Sequence, residues 1–247
     1  MNSKERVVAK MRLRVLSEKL KRGKGGVKMK KWMLVMVALC VYGLVSVASA
    51  GTITWNTPQN ITGDSDVSTN GVFNRAYIFD GMAGETTTVN GVTFSQFRDQ
   101  TTDTKTLFYV PNNPSIFDSV NSPFVNLSSS YKRMLASGMW KSNGGTPTIT
   151  LSNLAAGNYY EVQIWVNDPR GTGPRTMTVS GSAAILYSVA GNTKGAAGQF
   201  MIGSFKADAT SHKLSFNAGA GGTPQINGLQ LREITAPPAI TPTIPTP

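Results

Sequence analysis

The chain has 247 residues, one histidine, one cysteine and a formal net charge of +11. Residues 1–50 hold 12 Lys+Arg against 2 Asp+Glu, while the rest holds 12 against 11, so the body carries only +1 and its charge excludes nucleic acid as a partner. Cys40 lies in the basic end, which leaves residues 51–247 without a thiol for a disulfide, a cysteine-ligated metal or a cysteine nucleophile.

Taken in chain order, the first element is the uncharged, apolar run Trp32–Val47, preceded by Lys28, Lys30 and Lys31 and followed by Ala48-Ser49-Ala50. A basic flank, an apolar stretch and a small-x-small exit define a secretory signal peptide, with cleavage expected before Gly51. The alternative is an uncut anchor, but 16 residues fall short of the roughly 20 that span a bilayer. Cys40 sits inside the run rather than at its exit, which does not fit a lipidated N-terminus. The product is expected to be secreted, extracellular or at the cell surface, with no stable membrane span after cleavage. Residues 1–28 are long for a signal's basic region, and a start at Met29 gives ordinary proportions; the upstream stretch reads as a start-site artefact.

Residues 51–234 read as one domain, large enough to bury a core without cross-links. Short runs of Val, Ile, Phe and Tyr alternate with polar residues, and Asn-Gly, Gly-Gly and Pro punctuate them. The period is two, and no 3.6-residue pattern persists over three turns, which predicts an all-β antiparallel sandwich. Thr86–Val89, Asn90-Gly91 and Val92-Thr93-Phe94 form the clearest hairpin, because Asn-Gly supplies the positive φ angles of a type I′ turn. Further strands are expected at 52–56, 72–79, 105–110, 132–140, 147–152, 158–167, 174–180, 184–189, 199–206, 211–217 and 225–233. Around Ile226–Leu231 the apolar parity slips by one residue, so a bulge is expected near Gly228. This number of short strands fits a jelly roll better than a seven-stranded sandwich. Residues 235–247 contain five prolines in 13 residues and read as a Pro/Thr-rich linker, leading to a further C-terminal module or spacing the domain from a surface.

The stretch LSNLAAGNYYEVQIWVNDPRGTGPRTMTVSG (Leu151–Gly181) resembles the galactose-binding-like sandwiches, malectin-type domains and carbohydrate-binding modules among them. Those domains show L-x-x-L-x-x-G-x-Y-x-V-x-[LI]-x-[FW], a polar loop and an R-x-[FM]-x-V-x-[GN] strand. HKLSFNAGAGGTPQINGLQLREI (His212–Ile234) is similar to their closing strands. WNTPQNITGDSDVSTNG (Trp55–Gly71) resembles the opening of exported modules in bacterial surface proteins, although the sorting tail many of them carry is absent from this sequence. The resemblance implies a galactose-binding-like jelly roll and, as an expectation, a polysaccharide or glycan partner. Its motif residues are mostly structural, so it speaks to the fold more than to chemistry.

If 158–167 is a strand, Tyr160, Val162, Ile164 and Val166 share an apolar core face. The opposite face presents Tyr159, Glu161, Gln163, Trp165 and Asn167. Rings stack on sugar C–H faces while carboxylates and amides hold hydroxyls, so this row is the candidate ligand-binding face. The plain alternative buries Trp165 under a neighbouring loop. The strand feeds into Asp168-Pro169-Arg170, part of a polar loop that reaches Arg175, so Asp168 and Arg170 join the candidate site unless they merely pair across the turn.

Asp64 and Asp66 offer hard oxygen ligands for Ca²⁺ at alternate positions, the one structural cofactor the sequence raises. The EF-hand pattern fails, with Thr69 at the glycine position and Arg75 at the glutamate position, and a solvated loop is the competing reading. Asp99 and Asp103 form a weaker acidic pair. No G-x-S-x-G elbow occurs and His212 is the sole histidine, so a Ser-His-Asp triad has little to stand on. A glycosidase pair of Glu161 with Asp168 or Asp64 is the remaining enzymatic option. The sequence therefore points to a non-catalytic carbohydrate-binding or adhesion module, with a purely structural surface or matrix domain as the alternative.

Overall fold

The structure is a computed structural model that describes residues 51–79, 85–97, 106–109, 115–118, 127–141, 146–170, 175–190 and 194–236. The chain divides into Met1–Val47 and Ala48–Pro247, and every described residue belongs to the second unit. The signal region, Asp99, Asp103 and nearly all of the Pro/Thr tail lie outside the described residues. Among the described residues no helix is long and apolar enough to cross a membrane.

Alternating side chains build an all-β sandwich. In chain order come β1 (Thr54–Trp55), β2 (Gln59–Asn60), β3 (Val72–Phe79), β4 (Thr86–Val89), β5 (Val92–Phe97), β6 (Thr106–Tyr109) and β7 (Ser115–Asp118). Helix α1 (Ser129–Ala136) runs directly into β8 (Ser137–Trp140), followed by β9 (Thr148–Ser152), β10 (Tyr159–Val166), β11 (Thr176–Val179) and β12 (Ile185–Leu186). The last four are β13 (Gln199–Lys206), β14 (Ser211–Ala218), β15 (Gln225–Ile226) and β16 (Gly228–Ile234).

The first sheet has the order β1-β13-β10-β16-β3-β5-β4, with β2 also on β13; the second has β12-β11-β14-β9-β6 and the third β15-β8-β7. Pairing is antiparallel except between β3 and β5, which run parallel. The hairpin forms as its turn chemistry dictates, with Asn90 at φ 47° and Gly91 at φ 73°.

Two separate cores flank the first sheet. Tyr160, Val162, Ile164 and Val166 of β10 pack with Leu229 and Leu231 of β16, Phe205 of β13, and Ile149, Leu151, Leu214 and Phe216 of the second sheet. On the reverse face Trp165 packs with Ala76, Ile78, Phe94, Phe200, Tyr131, Met134 and Leu135. Trp55 lies at the margin of the first core, its indole against β13, where a side chain at Gly203 would overlap the ring.

The structure corrects three strand readings. Residues 132–140 are not one strand: their first half belongs to α1. Ser128 caps the helix by accepting the Tyr131 amide at 3.1 Å, and Tyr131, Met134 and Leu135 fall at the i, i+3, i+4 spacing of a buried stripe. Eight residues are too few to satisfy a three-turn criterion. Residues 225–233 are also not one strand, because β15 joins β8 while β16 joins β10 and β3. The parity slip is this change of sheet at Asn227, and the register shift lies further along, between Leu231 and Arg232. Finally, β2 and β7 form where no strand was expected.

Candidate functional site

The mixed face of β10 is not open through its centre. Trp165 is 0% exposed, and Gln163 and Asn167 are equally sealed, so no sugar can stack on this indole without displacing what covers it. Two segments cover it: α1 over Trp165, and the chain between Asp66 and Gly71 over Gln163 and its neighbours.

The second segment acts as a strap held by its main chain. Gln163 donates through Nε2 to the Asp66 carbonyl (2.7 Å) and accepts the Ser68 amide through Oε1 (3.0 Å). Gln230, directly opposite on β16, donates to both the Ser68 carbonyl (3.0 Å) and Gln163 Oε1 (2.7 Å). Arg232 donates to the carbonyls of Thr69 (3.1 Å), Asn70 (2.6 Å) and Gly71 (2.9 Å). Glu161, opposite Arg232, accepts from Asn70 Nδ2 at 3.2 Å, while its buried Oε1 makes no hydrogen bond. A loop lying on a sheet carries unpaired amides and carbonyls, and amide and guanidinium side chains satisfy them at fixed geometry.

Under the helix, Trp165 Nε1 donates to the Tyr131 hydroxyl (2.9 Å), which donates on to Asp66 Oδ2 (3.4 Å). Burial pushes the Tyr131 phenol above its ordinary range, and the Asp66 carboxylate beside it pushes the same way, so it stays protonated as this relay requires. Asn167 accepts the Gly198 amide (2.7 Å) and donates to the Leu135 carbonyl (3.2 Å). Asn227 donates to the Leu135 and Ser137 carbonyls and accepts the Asn167 amide. Together these two asparagines satisfy the end of α1 where it turns into β8.

Asp64 and Asp66 are engaged by the protein itself. Asp66 accepts the amides of Thr62 (2.6 Å) and Gly63 (3.0 Å) and the Thr62 hydroxyl (2.8 Å). Asp64 accepts the hydroxyl of Ser128, the cap of α1 (2.7 Å). The acidic loop thus stands beside a helix N-terminus, where carboxylates are favoured. Among the described residues no group of three or more His, Cys, Asp and Glu is placed to hold a metal ion.

At the far end of β10, Asp168 is 2% exposed and receives a forked pair from Arg170, Nε to Oδ1 and Nη2 to Oδ2, each 2.8 Å. Arg175 adds one contact, Nη1 to Oδ2 at 3.3 Å. The expected pairing across the turn is present, and Asp168 is a buried anchor rather than a hydroxyl-facing group; residues 171–174 lie outside the described set. An extended strand advances about 3.3 Å per residue, so Glu161 and Asp168 are about 20 Å apart, beyond the 5–10 Å of a glycosidase pair. His212 is neither exposed nor hydrogen-bonded at Nδ1: it is buried against Phe205, ring centres 4.4 Å apart.

The near end of the row is different. Tyr159 is half-buried with Lys206 Nζ 5.6 Å from its ring centre. Two strands away Phe73 is 48% exposed, with the Arg232 guanidinium 6.0 Å from its ring. The row therefore splits, with Tyr159 bordering solvent and Gln163, Trp165 and Asn167 inside. Arg232, Gln230, Tyr131 and Phe73 were not among the expected site residues. The parity of β16, read together with that of β10, places Gln230 and Arg232 opposite Gln163 and Glu161, and that signal was available.

No family model and no curated protein matches the chain. Among solved structures it is similar to a calcium binding mutant of Bacteroides uniformis beta-glucuronidase 2, at 13% identity and a TM-score of 0.44, over 65% of this chain and 18% of that one. It is also similar to the YxiM protein of Bacillus subtilis, at 15% identity and a TM-score of 0.39, over 65% and 40%. A third likeness, to an exo-beta-1,3-galactanase from Phanerochaete chrysosporium, has 11% identity and a TM-score of 0.24, over 57% and 30%. The chain thus spans well under half of each neighbour, at a similarity that assigns it no activity.

Proposed function

We propose that this chain is an exported, non-catalytic carbohydrate-binding or adhesion module of the cell surface, a galactose-binding-like jelly roll that meets its ligand at the open end of the mixed sheet face. The observation that carries this reading is the pair of aromatic side chains on β10 and β3, Tyr159 and Phe73, each with a cation near its ring. Solvent-facing rings beside hydrogen-bond donors suit a pyranose better than a sealed indole does. A non-catalytic role fits the engagements of the acid–base candidates: Glu161 lies under the strap, Asp168 between two arginines, and His212 against Phe205.

One observation favours the second reading, a structural surface or matrix domain without a small ligand: the centre of the face is closed by the protein's own strap and helix. Affinity electrophoresis through a panel of polysaccharides separates the two. Retardation in at least one gel, lost in Tyr159→Ala/Phe73→Ala at an unchanged melting temperature, supports the binding module. Unretarded migration in every gel supports the structural domain.

A further inference from the structure

The far end of β10 carries more positive charge than its own carboxylate can neutralise. Asp168 is 2% exposed, and one forked arginine is sufficient counter-charge for it. Arg175 approaches the same carboxylate through a single nitrogen at 3.3 Å, and its guanidinium makes no other hydrogen bond to a described residue. Its side chain is 24% exposed and that of Arg170 31%, so both side chains keep part of their surface in water. The Gly195 amide donates to the Pro169 carbonyl at 2.8 Å, which brings the exposed Lys194 to the same corner. From Pro169 to Ala207 the sequence contains no Asp or Glu, so no acid from these surrounding loops can balance the three cations. Tyr187, which packs beside Arg175, supplies no second anion, because burial holds its phenol above its usual range.

We infer that this corner is an anion-binding site for the carboxylate or sulfate groups of an acidic polysaccharide. Asp168 is the positioning residue: buried and rigid, it fixes the Arg170 fork and draws Arg175 alongside, so that two planar donors are oriented before a ligand arrives. Arg175 and Lys194 then supply the unmatched charge. Nucleic acid fits less well, because the body as a whole carries only +1. The ligand being a saccharide rests on the proposed function; its being anionic rests on this corner.

Affinity electrophoresis of the full chain tests the inference, with polygalacturonate and dextran sulfate as anionic probes, neutral dextran as reference and single-stranded DNA as the competing polymer. Retardation by at least one anionic polysaccharide is expected, weakening about tenfold in Arg175→Gln/Lys194→Gln and again on raising salt from 0.05 to 0.5 M, concentrations at which exposed charges become progressively screened. Arg175 is partly exposed and Lys194 exposed, and an unchanged melting temperature checks that the fold is retained. Equal retardation by neutral dextran, or anionic retardation unaffected by the double substitution, overturns the anion site while leaving the carbohydrate-binding reading intact. Retardation by DNA alone overturns the saccharide class, and no retardation by any polysaccharide overturns both readings.

Discussion

The two faces of β10 are both sealed, but by different chemistry. On one, Tyr160, Val162, Ile164 and Val166 meet another sheet, whose own backbone is already paired, so only apolar surface needs covering. On the other, Glu161, Gln163, Trp165 and Asn167 meet a strap and the end of a helix, whose main-chain groups still need partners. A row of amides, a carboxylate and an indole does signal a partner. Here most of that partner is the protein's own backbone, and only the Tyr159 end of the row remains for an outside ligand.

The largest expected effect tests whether the mixed face is as much a core as the apolar one. Trp165→Ala should cost about 3–5 kcal/mol, comparable to truncating a large side chain on the apolar side, because it opens a cavity against Phe94 and leaves Tyr131 without its indole donor. Urea unfolding followed by circular dichroism measures it. A loss below about 1 kcal/mol would place Trp165 at a site rather than in a core, and would restore the open-face reading.

Much of the frame was legible because period two needs only local information. The limits of β3 and β13 and the Asn90-Gly91 hairpin follow from parity and turn chemistry, as does the apolar face of β10. What covers the other face was not legible, because alternation tells which side chains share a face and says nothing of what lies upon it. Tyr131 reaches Trp165 across 34 residues and Asp66 reaches Gln163 across 97. In sequence the acidic loop and the amide row stand as two separate sites, whereas the strap beginning at Asp66 is what the row holds. Helix α1 is hard to read from sequence for a simpler reason: two turns with three buried apolar residues are a weak periodic signal, although Ser128 is a visible cap.

A smaller effect separates the two modes of covering. Gln163→Leu keeps approximate volume but strips the Ser68 amide, the Asp66 carbonyl and the Gln230 amide of one partner each, so a loss of about 1–3 kcal/mol is expected. Val162→Leu on the neighbouring apolar face removes no polar partner and disturbs packing alone. Amide hydrogen exchange distinguishes them: Gln163→Leu should speed exchange at Ser68 selectively, while Val162→Leu should leave the strap's protection in place. Equal protection in both variants would mean that packing, not main-chain capture, holds the strap.

The smallest effect concerns an imidazole buried against the apolar core. His212 of β14 stacks on Phe205 of β13 with Nδ1 unpartnered, in contrast to the mixed face, where most buried polar atoms are matched. Burial lowers its pKa below the usual 6.5, and the nearby Asp208 carboxylate opposes that shift only in part. The folded state therefore takes up a proton less readily than the unfolded chain. Below about pH 6.5 the unfolded chain binds more protons, so stability falls as the pH drops toward the folded-state pKa and levels off beneath it; above the window His212 contributes no pH dependence. Melting temperatures between pH 7.5 and 5 should decline in the native chain and decline less in His212→Phe, which fills the same space without a proton to gain. The difference between the two curves isolates His212 from the carboxylates, which titrate lower. Parallel curves would show that the imidazole reaches solvent when it charges, so that its burial in the folded state sets no penalty on protonation.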